Sequence, residues 1–293
     1  MFSGSIPALV TPFRDGSFDE AAYRSFIDWQ IAEGSSALVP CGTTGEAATL
    51  SFEEHFEVVG VCVDQAAGRV PVIAGCGSND TQIAIKNMCK AQELGVTAGL
   101  VVPPYYNKPN QEGIYRHFET IISACDLPIL LYNVPSRTAS DISVDTMARL
   151  RKFPSIVGVK DATADMDRVS AQRAACGPDF CQLSGNDYLT LGYLAMGGTG
   201  CISVTANVAP RLCAEFQAAW SRGDADEALK INDTLYPLHG AMFADASPGP
   251  AKYALTKIRS GFSGELRLPM TWPSESAQAE VDSALAHAGL LED

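Results

Sequence analysis

The sequence predicts an α/β fold: a (β/α)8 TIM barrel with a C-terminal helical appendage. Three observations predict it. Short apolar runs alternate with longer amphipathic stretches over about three quarters of the chain, the pattern of parallel strands joined by helices. Eight such units fit into roughly the first 220 residues, the usual size of a closed barrel of this type. Beyond Gly223 the strand-like runs stop and only helical patterns remain. The boundaries are therefore drawn at 1–223 for the barrel and 224–293 for the appendage, with a doubly wound sheet as the competing architecture.

The elements follow in order. Residues 6–10 are the first apolar run, and the stretch after it repeats Tyr23, Phe26, Ile27 and Ile31 at helical spacings. Residues 37–40 are the second run. Ser51 with Glu54 three positions on makes a capping box that opens the next helix. Residues 70–74 are the third run, a helix over 81–94 ends at Gly95, and 98–102 is the fourth strand, stopped by Pro103 and Pro104. A helix over 111–124 leads to the fifth strand at 129–134, and a helix over 144–150 to the sixth at 156–159. A helix over 165–175, a strand at 181–184, a helix over 189–196, a strand at 200–204 and a helix over 210–220 complete the eight units. In the appendage, 226–236, 250–258 and 276–288 read as helices.

Composition narrows the function classes. With 46% hydrophobic and 19% charged residues the chain is globular. A net charge of -13 argues against a nucleic-acid partner. It leaves room for an anionic substrate, because one well-placed arginine outweighs a distant field. No run approaches the roughly 20 apolar residues of a membrane span, and the N-terminus lacks a signal peptide's basic start and long apolar core. The nine cysteines are odd in number, scattered from Cys41 to Cys213 and free of CxxC, which suggests reduced thiols in a cytoplasmic protein. On that reading the glycosylation sequons at Asn79 and Asn232 are chance.

In a barrel of this type the active site lies at the carboxyl ends of the strands. The polar residues there are Thr43 and Thr44, then Tyr105, Tyr106 and Asn107, then Tyr132 and Arg137, then Lys160 and Asp161, then Gly185 and Asn186, and finally Ser203. Strands five and six are neighbours, so Tyr132 is expected beside Lys160. Neither belongs in a dry strand without a partner, although a lysine can also snorkel from a strand end. Desolvation favours a neutral amine, which can attack a carbonyl to form a Schiff base. A nearby tyrosine can shuttle the protons, and the Arg137 guanidinium can clamp a carboxylate with two hydrogen bonds. Thr43 and Thr44, between glycines, can cradle a carboxylate or form a turn that binds nothing. Gly197, Gly198 and Gly200 resemble a phosphate loop, but without a nearby lysine they read as close backbone packing.

Metal and redox chemistry lack support. There is no HExxH, the four histidines are widely spaced, and no carboxylates cluster at strand ends. His55 and His117 fall on helices, in solvated or core-edge roles. No GxGxxG follows the first strand, so no dinucleotide is expected. No cofactor is expected.

Three motifs then carry a resemblance. Gly42-Thr43-Thr44-Gly45-Glu46 with Ala48-Thr49-Leu50, Tyr132-Asn133-Val134-Pro135-Ser136-Arg137-Thr138, and Val159-Lys160-Asp161-Ala162-Thr163 resemble the dihydrodipicolinate synthase family, over residues 1–291. The resemblance implies that Lys160 forms the Schiff base with pyruvate and that Tyr132 is the acid/base, linked through Thr43 to Tyr106. It implies that Thr44 holds the pyruvate carboxylate, with Gly185 and Ile202 lining the pocket. Arg137 would receive the carboxylate of aspartate 4-semialdehyde. It implies a homodimer or homotetramer in which Tyr106 crosses the interface. A related N-acetylneuraminate lyase or keto-sugar-acid aldolase shares the lysine and tyrosine but usually not a basic residue at Arg137. A silent barrel would lack one of Lys160, Tyr132 and Thr43. Ala48, His55, Asn79 and Tyr105 match the family's lysine-effector site, but Phe52 and Ile83 replace a histidine and a glutamate. Weak or absent feedback by lysine is therefore expected.

Overall fold

The computed structural model describes residues 2–291. The described residues fall into two compact units: one is built from 72–202 with residues 2–3, the other from 4–71 and 203–291. In chain order the strands are β1 (Gly4–Pro7), β2 (Phe13–Arg14), β3 (Ser17–Phe18), β4 (Ile73–Gly75), β5 (Ala98–Val101), β6 (Ile129–Asn133), β7 (Ile156–Asp161), β8 (Cys181–Ser184) and β9 (Gly200–Ser203). The helices are α1 (Glu20–Ala32), α2 (Phe52–Ala66), α3 (Thr81–Glu93), α4 (Gln111–Ala124), α5 (Pro135–Thr138), α6 (Val144–Leu150), α7 (Asp167–Cys176), α8 (Thr190–Ala195), α9 (Pro210–Ser221), α10 (Ala225–Ala241), α11 (Gly249–Ile258) and α12 (Glu275–His287).

In the first unit β4 to β9 pair in sequence order, each parallel to the next. All residues of β5, β6 and β8 are buried. That explains why β5 and most of β6 read as apolar runs, since parallel strands between helical layers lose water on both faces. Sequence-local caps open the intervening helices. Asp80 accepts the amides of Gln82 and Ile83 at the start of α3, Asn110 that of Gly113 at α4, and Ser143 that of Thr146 at α6. Each satisfies a donor that a helix start leaves unpaired.

In the second unit, residues 37–40 make an isolated parallel bridge, Ala8 to Val39, rather than a named strand. The Leu9 amide donates to the Val39 carbonyl, the Val39 amide to Pro7, and the Leu38 amide to Pro71. The Ala8 amide donates to Ser203 at the end of β9. β2 and β3 form a hairpin whose turn residues Asp15 and Gly16 both have positive φ, 53° and 79°. An Asp-Gly pair supplies that turn at little cost. Ser51 caps α2 as its sequence predicts. The helix predicted over 226–236 runs on to Ala241, with Pro237 inside it. The core of this unit holds Phe13, Tyr23, Phe26 and Ile27, all fully buried. Among the described residues no helix is long and apolar enough to cross a membrane, and none of the nine cysteines is in a disulfide.

Candidate active site

In β6 and β7 the register is offset once, between Ile129 and Leu130: Ile129 pairs with Ile156, but Leu130 pairs with Gly158. From there the strands run in step, so that Tyr132 pairs with Lys160 and Asn133 with Asp161. Without that irregularity Tyr132 would stand beside Val159, and the lysine would belong to the other face, because strand side chains alternate. Lys160 and Tyr132 are 6% and 7% exposed. The Lys160 Nζ lies 4.2 Å from the centre of the Tyr132 ring. The electron-rich ring therefore faces the lysine head group.

Glycines set the spacing around this pair. A Cβ on Gly158 would collide with the Cys181 carbonyl, so only glycine lets β7 approach β8 there. Gly185 follows β8; its amide donates to the Asp161 carbonyl at 2.7 Å, and a Cβ there would stand 3.2 Å from the Lys160 Cε. Lys160 pairs with Leu183, which pairs with Gly200. Ile202, two residues on, is therefore on the same sheet face as Lys160 and is 1% exposed. Two other ionisable groups near the strand ends are held protonated. Burial, followed by the charge of Asp187, pushes the Cys201 thiol well above its usual range, and burial, followed by Asp161, pushes the Tyr193 phenol up.

Arg137 lies on α5, a single turn beginning with Pro135 at its first position, and its side chain is exposed. Tyr106 has φ of 72° and is 88% exposed, while Tyr105 is 39% exposed. The Asn107 amide side chain donates to the Asn79 carbonyl at 2.9 Å. Ile83 is 48% exposed on α3. The structure thus brings Lys160, Tyr132, Gly185 and Ile202 to one sheet face, and leaves Arg137 and Tyr106 facing solvent.

Thr43 and Thr44 belong to the second unit, in the turn before α2. Thr44 is buried and Thr43 exposed. The turn is closed by the Gly45 amide donating to Gly42 and the Glu46 amide to Thr43, with the Thr11 hydroxyl donating to the Gly45 carbonyl at 2.7 Å. Cys41 and Glu46 bracket it at φ of 53° and 55°. Ala48 is exposed, and Phe52 and His55 both stack on Phe56, at 4.9 and 4.7 Å between ring centres. Among the described residues no three His, Cys, Asp or Glu side chains are grouped to hold a metal ion.

Comparison with known proteins bears on this arrangement. Residues 1–288 match the model of the Dihydrodipicolinate synthetase family. The chain belongs to this family. A 4-hydroxy-tetrahydrodipicolinate synthase of Rhizorhabdus wittichii is 65% identical over 290 residues, covering 99% of this chain and 100% of the relative. A crystal structure of dihydrodipicolinate synthase from Aquifex aeolicus superposes with a TM-score of 0.96 at 42% identity, covering all of both chains. That of the chloride-inhibited enzyme from Acinetobacter baumannii complexed with pyruvate superposes with a TM-score of 0.96 at 41% identity, over 99% of this chain and 100% of that one. The fold is accordingly of the TIM-barrel type with C-terminal helices. The activity is that of the family, a lyase of the 4-hydroxy-tetrahydrodipicolinate synthase type serving diaminopimelate and lysine biosynthesis.

Asn133 and Asp161 follow Tyr132 and Lys160, and both are buried, at 0% and 5% exposure. The sequence does not reveal their partners Asp141, Arg168 and Gln172, which stand at no regular period from them. The one available signal was a buried carboxylate next to the candidate lysine, which demands a partner.

Proposed function

We propose that the chain condenses pyruvate with L-aspartate 4-semialdehyde through a Schiff base on Lys160. The observation that carries this reading is the buried Lys160 amine set over the Tyr132 ring at 4.2 Å. The amine attacks the pyruvate carbonyl carbon and water leaves, giving an imine. Loss of a methyl proton then gives an enamine, and its carbon attacks the aldehyde of the second substrate. The amino group of that substrate displaces the lysine and closes the ring. Tyr132 moves the protons of these steps, with Thr43 and Tyr106 as its relay. Thr44 and the backbone near Gly185 and Ile202 hold the pyruvate, and the exposed guanidinium of Arg137 receives the second carboxylate.

The 88% exposure of Tyr106 supports its completion by a second copy of the chain, in a cytoplasmic homodimer or homotetramer. Borohydride reduction in the presence of pyruvate, followed by peptide mass spectrometry, is expected to place one adduct on Lys160. Lys160→Met is expected to abolish it, with a fall in kcat of roughly a thousandfold or more. An adduct on another lysine would overturn the assignment.

At the Ala48, His55, Asn79 and Tyr105 positions, Phe52 and Ile83 offer no anion to a lysine ammonium. The missing charged hydrogen bond is worth about 1.5–3 kcal/mol. Free lysine is therefore expected to inhibit weakly or not at all, and an inhibition curve with a micromolar midpoint would refute this.

A further inference from the structure

A buried polar network joins the segment that carries Arg137 to the end of the strand that carries Lys160. The segment leaves β6 at Asn133 and returns to the same residue. The Asn133 side-chain amide donates to Asp141 Oδ1 at 2.7 Å, and its oxygen accepts the Ile142 amide at 3.1 Å. Within the segment the Thr138 hydroxyl donates to the Val134 and Ser140 carbonyls. The Ser140 hydroxyl donates to Pro104 at 3.0 Å, next to Tyr105 and Tyr106. α5 is one turn long, too short to hold its own shape in water. The direction of Arg137 is therefore set by these outside contacts.

One side chain from a different element completes them. Arg168, on α7, donates through Nη2 to the Ile142 carbonyl at 2.6 Å and through Nη1 to Asp141 Oδ2 at 3.3 Å. Its Nε lies 3.4 Å from Asp161 Oδ2, with the two side chains 13% and 3% exposed. Asp161 is otherwise filled by the Thr163 amide and hydroxyl on one oxygen and by Gln172 at 2.6 Å on the other. A planar guanidinium can serve two carboxylates and a carbonyl at fixed angles, which an ammonium cannot. Asp161 and Lys160 are consecutive in β7 and so face opposite sides of the sheet. Lys160 itself is held by the backbone pairing of β7 with β6 and β8, and Arg168 meets β7 at the Asp161 side chain, on the opposite face.

We propose that Arg168 is a positioning residue for the second substrate, fixing the 134–142 segment, and with it Arg137, to Asp161 at the end of β7. The inference rests on the reading of Arg137 given above and extends it to a residue that never meets the substrate. It separates the two half-reactions. Loss of Arg168 loosens the carboxylate clamp but leaves capture of pyruvate as it was.

The test compares Arg168→Met, Asp141→Asn and Arg137→Ala. Each is assayed for the rate of borohydride-trapped pyruvate adduct, for kcat and KM with the semialdehyde, and for Tm. Arg168→Met is expected to raise the semialdehyde KM roughly tenfold or more while the adduct rate stays within about twofold of the parent. Asp141→Asn keeps an oxygen for Asn133 and is expected to shift KM the same way by a smaller factor. It decides the question if Arg168→Met does not fold. Equal losses in adduct formation and semialdehyde use, or no change of KM in either variant, would overturn the proposal. If Arg137→Ala leaves the semialdehyde KM unchanged, the reading of Arg137 itself fails. If Arg137→Ala raises it and the other two do not, only the role of Arg168 fails.

Discussion

At Gly185 a Cβ would stand 2.8 Å from the Ala162 Cβ and 3.2 Å from the Lys160 Cε. The first distance is closer than carbon atoms tolerate, so Gly185→Ala must shift either the backbone after β8 or the lysine stem. Overpacking of this kind costs about 1–3 kcal/mol, and here it bears on the Lys160 stem. Gly185→Ala is expected to slow pyruvate adduct formation by roughly tenfold or more, measured by timed borohydride quenching; a rate equal to the parent would show that the site yields freely. Lys160 and Tyr132 were readable in the sequence because each ends an apolar run, where a polar residue has few reasons to be. Arg168 was not, because its partners Asp141, Ile142 and Asp161 lie on other elements and no spacing links them to it.

Between elements, α3 and α4 are joined by a buried histidine. The Thr81 hydroxyl and His117 Nδ1 are 2.9 Å apart, and His117 is 4% exposed. Burial lowers its pKa to about 4, against an opposing pull from Asp80. The folded protein therefore keeps the ring neutral between pH 6.5 and about 4, whereas the unfolded chain binds a proton there. Stability contributed by the neutral ring is present above pH 6.5 and is lost as pH falls toward 4, by up to roughly 3 kcal/mol. His117→Gln is expected to flatten the decline of Tm between pH 6.5 and 4.5, and an unchanged slope would rule the histidine out as the cause. Element by element, α4, α6 and β8 run over the residues their periodicity predicts, because caps and breakers are local. The β2–β3 hairpin leaves only the Asp15-Gly16 turn as a trace in the sequence, since two-residue strands have no period to read. α5 was hidden for a different reason: Pro135 reads as the stop of a strand and is also the first residue of a helix.

Across the molecule, one contact unites distant parts of the second unit. Lys252, fully buried on α11, places its Nζ 2.5 Å from Glu46 Oε1 and donates to the Glu265 carbonyl at 2.7 Å. Its amine lies over the Phe13 ring at 4.3 Å. The other Glu46 oxygen accepts the Arg267 amide at 3.1 Å. Burial pulls the lysine down to about 8, with Glu46 pulling the other way. Lys252→Met leaves the Glu46 charge buried without a counter-ion and is expected to cost about 3–5 kcal/mol in urea unfolding, with Lys252→Met/Glu46→Met recovering much of it. A single variant as stable as the parent would contradict this. The sequence marked Glu46 as part of a glycine-rich turn, but nothing in that motif points to a lysine some two hundred residues later.

The second unit is discontinuous in the chain, and this bears on the order of synthesis. Residues 72–202, which contain Lys160, Tyr132, Arg137 and Arg168, have every strand from β4 to β8 in one contiguous stretch. A nascent chain can pair them as soon as that stretch has left the ribosome. The turn with Thr43 and Thr44 is made earlier but must wait longer, because Lys252 and Arg267 emerge last. Translation thus completes the strands that carry Lys160 and Tyr132 well before it completes the anchor of the Thr43–Thr44 turn.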